Sequence, residues 1–247
     1  MNVILMGYGR MGREVEQILN QKGHSIVARV DPGGMGDMTS VDEESLKKAD
    51  AVIEFALPEG IVKRAELYSS YGLKAVIATT GWEKQRKDVL SPFKQDSAAI
   101  MYGSNFSMGA HLFFRLSSYA ASLINKLEDY DVAVIEYHHN KKIDSPSGTA
   151  LSAAGKILEN LNRKKEILPG NPPGAIKPEQ LQIVSVRTGS IPGIHKVCMD
   201  SPADTIELSH SARNRGGFAL GSVLAAEWLL DRSGIFSVDE FMQDFLD

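Results

Sequence analysis

The chain of 247 residues is poor in several things, and each scarcity removes a class of function. One cysteine, Cys198, excludes an internal disulfide framework and a thiolate metal cluster, as suits a reducing compartment. No run of about eighteen uncharged apolar residues occurs, and the opening residues MNVILMGYGR lack the basic flank of a secretory leader. No membrane partner is therefore expected, and the cytoplasm is the expected location. Positive charge is not in excess either: 27 Lys and Arg against 31 Asp and Glu leave a net charge of -4, which argues against a nucleic-acid partner. No internal repeat is visible. With 43% hydrophobic and 23% charged residues, the composition is that of an ordinary globular protein, long enough for one large or two modest domains.

What is present is an alternation of strands and helices. Residues 1–6 read as a buried strand, 7–12 as a glycine turn, and 13–22 as a helix with Val15, Ile18 and Leu19 on one side. Further strands are expected at 24–31, 49–60, 74–82 and 98–106, with a helix through Tyr68. Such alternation implies right-handed crossovers and a parallel sheet covered on both faces. After Ser107 the rhythm changes. A long helix with Leu112, Leu116, Tyr119, Leu123 and Leu127 on one stripe leads into a strand at 131–139, and a second helix carries Leu151, Ala154, Leu158 and Leu161. A polar loop at 169–178 precedes three strand-like runs, LQIVSVRTG, HKVCMDS and DTIELSHSA, whose short links predict an antiparallel meander. An apolar helix at 218–230 and a capping box of Ser237 with Glu240, stapled by Phe236 and Phe241, end the chain. The expected class is α/β: a Rossmann-type doubly wound parallel sheet plus a second α+β domain with a mixed or antiparallel sheet. Residues 1–106 and 214–247 would form the dinucleotide-binding domain, and 107–213 a domain for substrate binding and oligomerisation.

GYGRMG at 7–12 fits G-x-G-x-x-G between a strand and a helix, and Asp31 lies nineteen residues after Gly12. In that arrangement Gly7 permits the tight turn, Gly9 lets the backbone approach a pyrophosphate and Gly12 lets helix and strand close up. Tyr8, Arg10 and Met11 complete the turn, and the helix N-terminus faces the phosphates. Asp31 suits the ribose hydroxyls of adenosine and repels a 2'-phosphate, while Pro32 follows where a phosphate-binding arginine would be useful. NADH is expected to be preferred over NADPH, with Arg10 or Arg29 able to soften the preference.

EYHHNKKIDSPSGTA at 136–150 is the second concentration of chemistry. His138 and His139 end a strand and face opposite ways, so they do not readily share one metal ion, and no metal is expected. Ser147 suits an N-cap, Gly148 admits close approach, and the helix start together with Lys142 favours a carboxylate.

On these residues the chain resembles the 4-hydroxy-tetrahydrodipicolinate reductase (dihydrodipicolinate reductase) family over essentially its full length. The resemblance is carried by E-x-H-H-x-x-K-x-D-x-P-S-G-T-A, by GYGRMG, by ATTG at 78–81 and by SNFSMG at 104–109. It implies reduction of a cyclic imine dicarboxylate in diaminopimelate and lysine biosynthesis, with His138 as proton donor or acceptor and Lys142 as proton donor. It also implies substrate contacts at His139, Ser147, Gly148, Thr149 and Arg215, and cofactor contacts at Ala78, Thr79, Thr80, Gly103, Ser104, Asn105 and Phe106. A homotetramer, and a cleft closing about hinges near 105–109 and 213, are implied in the same way. Ala78 in place of the usual glycine and Glu54 in place of the commoner aspartate depart mildly from the pattern. Two other readings compete: a related two-domain dehydrogenase acting on an amino or keto acid, and a protein that senses NADH without turnover.

Overall fold

In the computed structural model, residues 1–94 and 97–246 are described, and the chain divides into two units. Met1–Met108 with Arg215–Asp247 form one, and Gly109–Asn214 the other.

The first unit is built on β1 (Asn2–Met6), β2 (Ser25–Val30), β3 (Ala51–Glu54), β4 (Lys74–Ile77), β5 (Ala99–Tyr102) and a late strand, β11 (Gly234–Ser237). All pair in parallel, in the order β11-β5-β4-β3-β1-β2. Because successive strand residues point to opposite faces, the unbroken apolar run of β1 fills two cores. Val3 and Leu5 join α1 (Arg10–Gln21) and α7 (Gly216–Leu229) on one side. Ile4 and Met6 join Ile61, Ala65 and Tyr68 of α3 (Ile61–Ser70) on the other. Helix α7 is apolar nearly all round because it is buried nearly all round, and a Cβ at its Gly221 would lie 1.7 Å from the carbonyl oxygen of Phe106. Helices α2 (Glu43–Lys48) and α4 (Arg86–Leu90) are short connectors. At the end of the chain, Glu240 accepts from the Ser237 N–H and the Ser237 hydroxyl accepts from the Glu240 N–H, the reciprocal capping expected for α8 (Val238–Leu246). Phe236 and Phe241 meet on the ring of Trp228 between them.

The second unit sets two helices, α5 (Met108–Ile124) and α6 (Gly148–Leu158), against a mixed sheet. Its strands are β6 (Asp131–His138), β7 (Glu166–Pro169), β8 (Gln180–Arg187), β9 (Ile194–Asp200) and β10 (Thr205–Ser211), in the order β10-β9-β6-β8-β7.

The meander expectation is corrected here. β9 and β10 do form a hairpin, but β6 lies between β8 and β9, parallel to the first and antiparallel to the second. The link from β8 to β9 is long enough to step over one strand, and it is tied to the end of β6 by hydrogen bonds from the His139 N–H to Ile191 and from the Asn140 N–H to Gly189. The stripe on α5 is corrected as well: Leu112, Leu116, Tyr119, Leu123 and Leu127 are 49–66% exposed, and the helix buries Ala110, Phe113, Phe114, Ala121 and Ile124 instead. Both faces of α5 are apolar, so periodicity alone does not show which one meets the sheet. Likewise α6 buries Ala150, Ala153, Ala154 and Ile157 and leaves Leu151 outside. Strands β7 and β11 were not anticipated: each has only four residues.

Candidate active site

In the first unit, the glycine turn and Asp31 form one hydrogen-bonded body at the carboxyl ends of β1 and β2. Gly7 adopts φ +90°, and a Cβ there would lie 2.5 Å from the Ala56 nitrogen; one on Gly12 would lie 2.4 Å from the Gly7 oxygen. Side chains are excluded at both places by backbone. Helix α1 starts at Arg10 with Gly9 in the cap position, so no side chain closes its first turn. Asp31 is buried; its Oδ2 accepts from the Tyr8 N–H at 2.8 Å and its Oδ1 from the Gly33 N–H at 2.8 Å. These features fit a dinucleotide: no side chain at Gly9 on the turn, a helix start without a side-chain cap, and an acid with lone pairs to spare for a ribose. Strand order reverses between β1 and β3, the place where parallel sheets of this kind take ligands.

Around the turn, Arg29 is already engaged, donating to Glu16 at 3.0 Å and to Asp37 at 3.1 Å. The hydrogen bond from Arg29 leads the effects that hold the Glu16 carboxyl below its usual range, and the hydrogen bond that the Tyr8 hydroxyl donates to Glu16 raises the Tyr8 phenol. Arg10 is exposed and Met11 partly buried. Of the residues expected beside the nicotinamide, Ala78 donates its N–H to Glu54 and Thr80 is exposed. Thr79 is buried with its hydroxyl 2.9 Å from the Ala56 oxygen. Glu54 itself is fully buried, fixed by Arg64 at 2.7 Å and by the Tyr68 hydroxyl at 2.7 Å. Gly103 owes its lack of a side chain to packing, since a Cβ would lie 2.3 Å from Val238. Ser104 is exposed, Asn105 accepts from the Ser107 N–H, and Phe106 is buried in the core. Arg215 is exposed at the cap position of α7.

In the second unit, the end of β6 gathers most of the chemistry of residues 136–150. Alternation along the strand buries Glu136 and His138 on one face and leaves His139 half-buried on the other. Register supplies their neighbours: Glu136 stands opposite Ser185 of β8 and His195 of β9, and His138 opposite Arg187. Oε1 of Glu136 accepts from the Ser185 hydroxyl at 2.7 Å, Arg187 Nη2 at 2.8 Å and the Ser147 N–H at 3.0 Å. Burial pushes this carboxyl upward, but hydrogen bonding involving His195, Ser147, Ser185 and Arg187 outweighs it and holds the group well below the usual carboxylate range. His138 Nδ1 lies 3.2 Å from Oε2 of the same carboxylate. Burial lowers this imidazole to about 4 even though Glu136 opposes the shift, so it is neutral at pH 7. The His138 and His195 rings meet edge to face at 5.1 Å, with the His210 ring 6.3 Å beyond His195.

Ser147 caps α6 through the Ala150 N–H, its hydroxyl 3.2 Å from His195 Nε2. Next to it Gly148 is exposed, with nothing within 4 Å of where a Cβ would stand, and Thr149 is partly buried. Lys142 reaches Asp144 at 2.8 Å, and Arg187 holds the Asp144 carbonyl at 2.7 Å. A histidine-bearing strand end, an ammonium group and an open helix N-terminus thus belong to one small unit. Glu136, His138 and His195 each offer a possible ligand atom within 4.8 Å of the others. The Arg187 guanidinium on the same carboxylate disfavours a cation there, and the cluster reads as a hydrogen-bonded network. Arg187 and His195 went unassigned at the sequence level because strand pairing, not spacing, brings them in. Glu136 had a signal: it lies two residues before His138.

Family models for the dihydrodipicolinate reductase N-terminus and C-terminus match residues 1–106 and 109–242. The chain belongs to the dihydrodipicolinate reductase family. A family member from Christiangramia forsetii, named 4-hydroxy-tetrahydrodipicolinate reductase, is 36% identical over 244 residues, covering 99% of this chain and 98% of its own. Another of that name, from Chromobacterium violaceum, is 35% identical over 268 residues, covering 99% and 98%. A solved dihydrodipicolinate reductase from Paenisporosarcina sp. TG-14, with dipicolinate bound, shares the fold at a TM-score of 0.74, covering 96% of this chain and 97% of that one at 24% identity.

Proposed function

We propose that the chain reduces 4-hydroxy-tetrahydrodipicolinate to tetrahydrodipicolinate, using a reduced nicotinamide dinucleotide, in diaminopimelate and lysine biosynthesis. The observation that carries the reading is the shared placement of His138, Lys142 and the α6 N-terminus in one unit, in a member of this reductase family. The cofactor, when held by the glycine turn and Asp31, would supply the hydride that the unsaturated ring carbon needs after water departs. The protein does the rest. Ser147, Gly148 and Thr149 present α6 N–H groups to one substrate carboxylate, while His139 and Arg215 serve as further substrate contacts. Lys142 holds anionic substrate through its ammonium group and donates the proton that the resulting enamine needs. His138, neutral in the resting protein, gains proton affinity as a doubly anionic ring arrives, and exchanges a proton with it. Cationic groups near the ring nitrogen stabilise the electron density that moves there more in the transition state than in the ground state.

Gly7 to Gly12 with Asp31, Ala78, Thr79, Thr80 and Gly103 to Phe106 form the proposed cofactor site, and NADH is the preferred form. Asp31 disfavours a 2'-phosphate, and Arg29 is held by Glu16 and Asp37 rather than free to receive one. The second unit is proposed to mediate a homotetramer: on the face of β6 away from its helices, Ile135 and Tyr137 are only partly buried. Among the described residues no helix is long and apolar enough to cross a membrane, and the cytoplasm is the proposed location. The test is absorbance at 340 nm with NADH and freshly made substrate: it should fall. An unchanged absorbance, with dinucleotide still bound, would favour a sensor.

A further inference from the structure

Two buried atoms in the second unit make no well-aligned hydrogen bond and lie close together: Oε2 of Glu136 and Nδ1 of His138, 3.2 Å apart. Their separation is within hydrogen-bond reach, and only alignment is missing; catalytic hydrogen bonds are often loose before substrate binds. We propose that Glu136 is a positioning residue which, braced by Arg187, keeps the His138 proton on Nδ1 and so leaves Nε2 as the atom that exchanges protons with substrate.

Three observations support this. The carboxylate cannot turn away, because its other oxygen is held by Ser185, Arg187 and the Ser147 N–H. The space beside Nε2 is kept clear by a glycine, since a Cβ on Gly193 would lie 3.0 Å from that nitrogen. The same Arg187 nitrogen that braces Glu136 also grips the Asp144 carbonyl at 2.7 Å, and the Asp144 side chain holds Lys142 at 2.8 Å. One guanidinium therefore indexes both proton-handling groups, His138 through Glu136 and Lys142 through Asp144. The charged or titratable groups around His138 are Glu136 on its own strand, His195 from β9, Arg187 from β8 and Lys142 from the following loop. Glu136 alone among them is an anion, so it alone attracts the Nδ1 proton; His195 Nε2 lies 3.6 Å from the same oxygen and competes for it.

The inference rests on the reductase reading for what Nε2 does, but not for which nitrogen carries the proton. The full-length protein, labelled with ¹⁵N in its histidine rings, should show His138 at pH 7 as a neutral ring with a pyrrole-type Nδ1 and a pyridine-type Nε2, the resonances assigned by their loss in His138→Gln. Glu136→Gln, whose amide can also donate, should give mixed tautomers and a kcat lower by about 100-fold, with KM for the reduced cofactor within about twofold. Glu136→Asp, which restores the charge, should recover about tenfold of the loss. The wild-type spectrum needs no variant to fold: a proton found on Nε2 overturns the proposal. So does a Glu136→Gln protein with an unchanged tautomer and a kcat within about threefold of wild type. Wild-type protein that turns over no substrate would sink the reductase reading, and the spectrum would still decide the positioning claim.

Discussion

Asp31→Ala offers a quantitative test of cofactor choice, because the proposed cofactor site gives that carboxylate two jobs. It accepts N–H groups from Tyr8 and Gly33, which shapes the glycine turn, and it presents charge where an adenosine ribose would lie. Removing it leaves the half-buried Tyr8 donor unpaired, at about 1–3 kcal/mol, and frees the exposed Gly33 N–H to water, which loosens the turn for any dinucleotide. That loss is common to NADH and NADPH and cancels in the ratio of their kcat/KM values. What does not cancel is repulsion of the 2'-phosphate. A unit charge and a phosphate about 6 Å apart, at an effective dielectric constant of about 40, repel by roughly 1.4–2.8 kcal/mol, equivalent to about 10- to 100-fold. The loss of a ribose hydrogen bond adds about 1 kcal/mol against NADH in the same direction. Both cofactors should therefore work less well in the variant, while the NADH to NADPH ratio falls by at least about tenfold. Initial rates at 340 nm with each cofactor at several concentrations measure it. A ratio within about twofold of wild type would remove Asp31 from cofactor selection.

Further expectations concern the second unit and the buried pair of the first. Lys142→Ala should lower kcat by about 10²- to 10⁴-fold while NADH binding, followed by its fluorescence, stays within about twofold; joint loss of both would contradict the assignment of the two jobs to different units. His138 is neutral when folded, with its pKa lowered to about 4 chiefly by burial, and returns to about 6.5 when unfolded. The unfolded chain then binds the extra proton between those values, so stability falls as pH falls through that window, by about 2 kcal/mol between pH 8 and pH 5. His210, also lowered by burial, adds to the same slope, whereas Glu136 contributes only below about pH 4.5. His138→Gln should flatten the slope in urea unfolding at pH 8 and pH 5, and an unaltered slope would refute the shift. Glu54→Ala, which strands the buried Tyr68 hydroxyl and removes the carboxylate partner of half-buried Arg64, should cost about 3 kcal/mol in the same assay; a loss under about 1 kcal/mol would show that the pair is dispensable.

Local chemistry was the part of this protein that could be read from its residues. The glycine turn, the Ser147 cap and the Ser237 to Glu240 box each depend on residues within a few positions of one another, and the structure shows each turn or cap as its spacing implies. Strand pairing is a different kind of fact. Nothing between residues 180 and 200 announces that β6 will enter between two later strands, and so the contact of Arg187 and His195 with Glu136 stayed hidden. Helix α5 failed for a related reason: Leu112 and Phe113 are equally apolar, and only the packing of the sheet decides that the phenylalanine goes inside. Thr79 and Gly103 lie in the predicted cofactor segments, yet their visible contacts are internal, with Ala56 and Val238.

The central place of β6 has a consequence for how this protein fails. A strand paired along both edges has no free margin from which to fray, so its amides exchange with solvent only when the sheet as a whole comes apart. A shift of one residue along its partners would turn His139 inward and His138 outward, and no partly working register lies between. Heat inactivation and melting of the sheet should accordingly be one event, with no tepid intermediate that has lost chemistry and kept its shape.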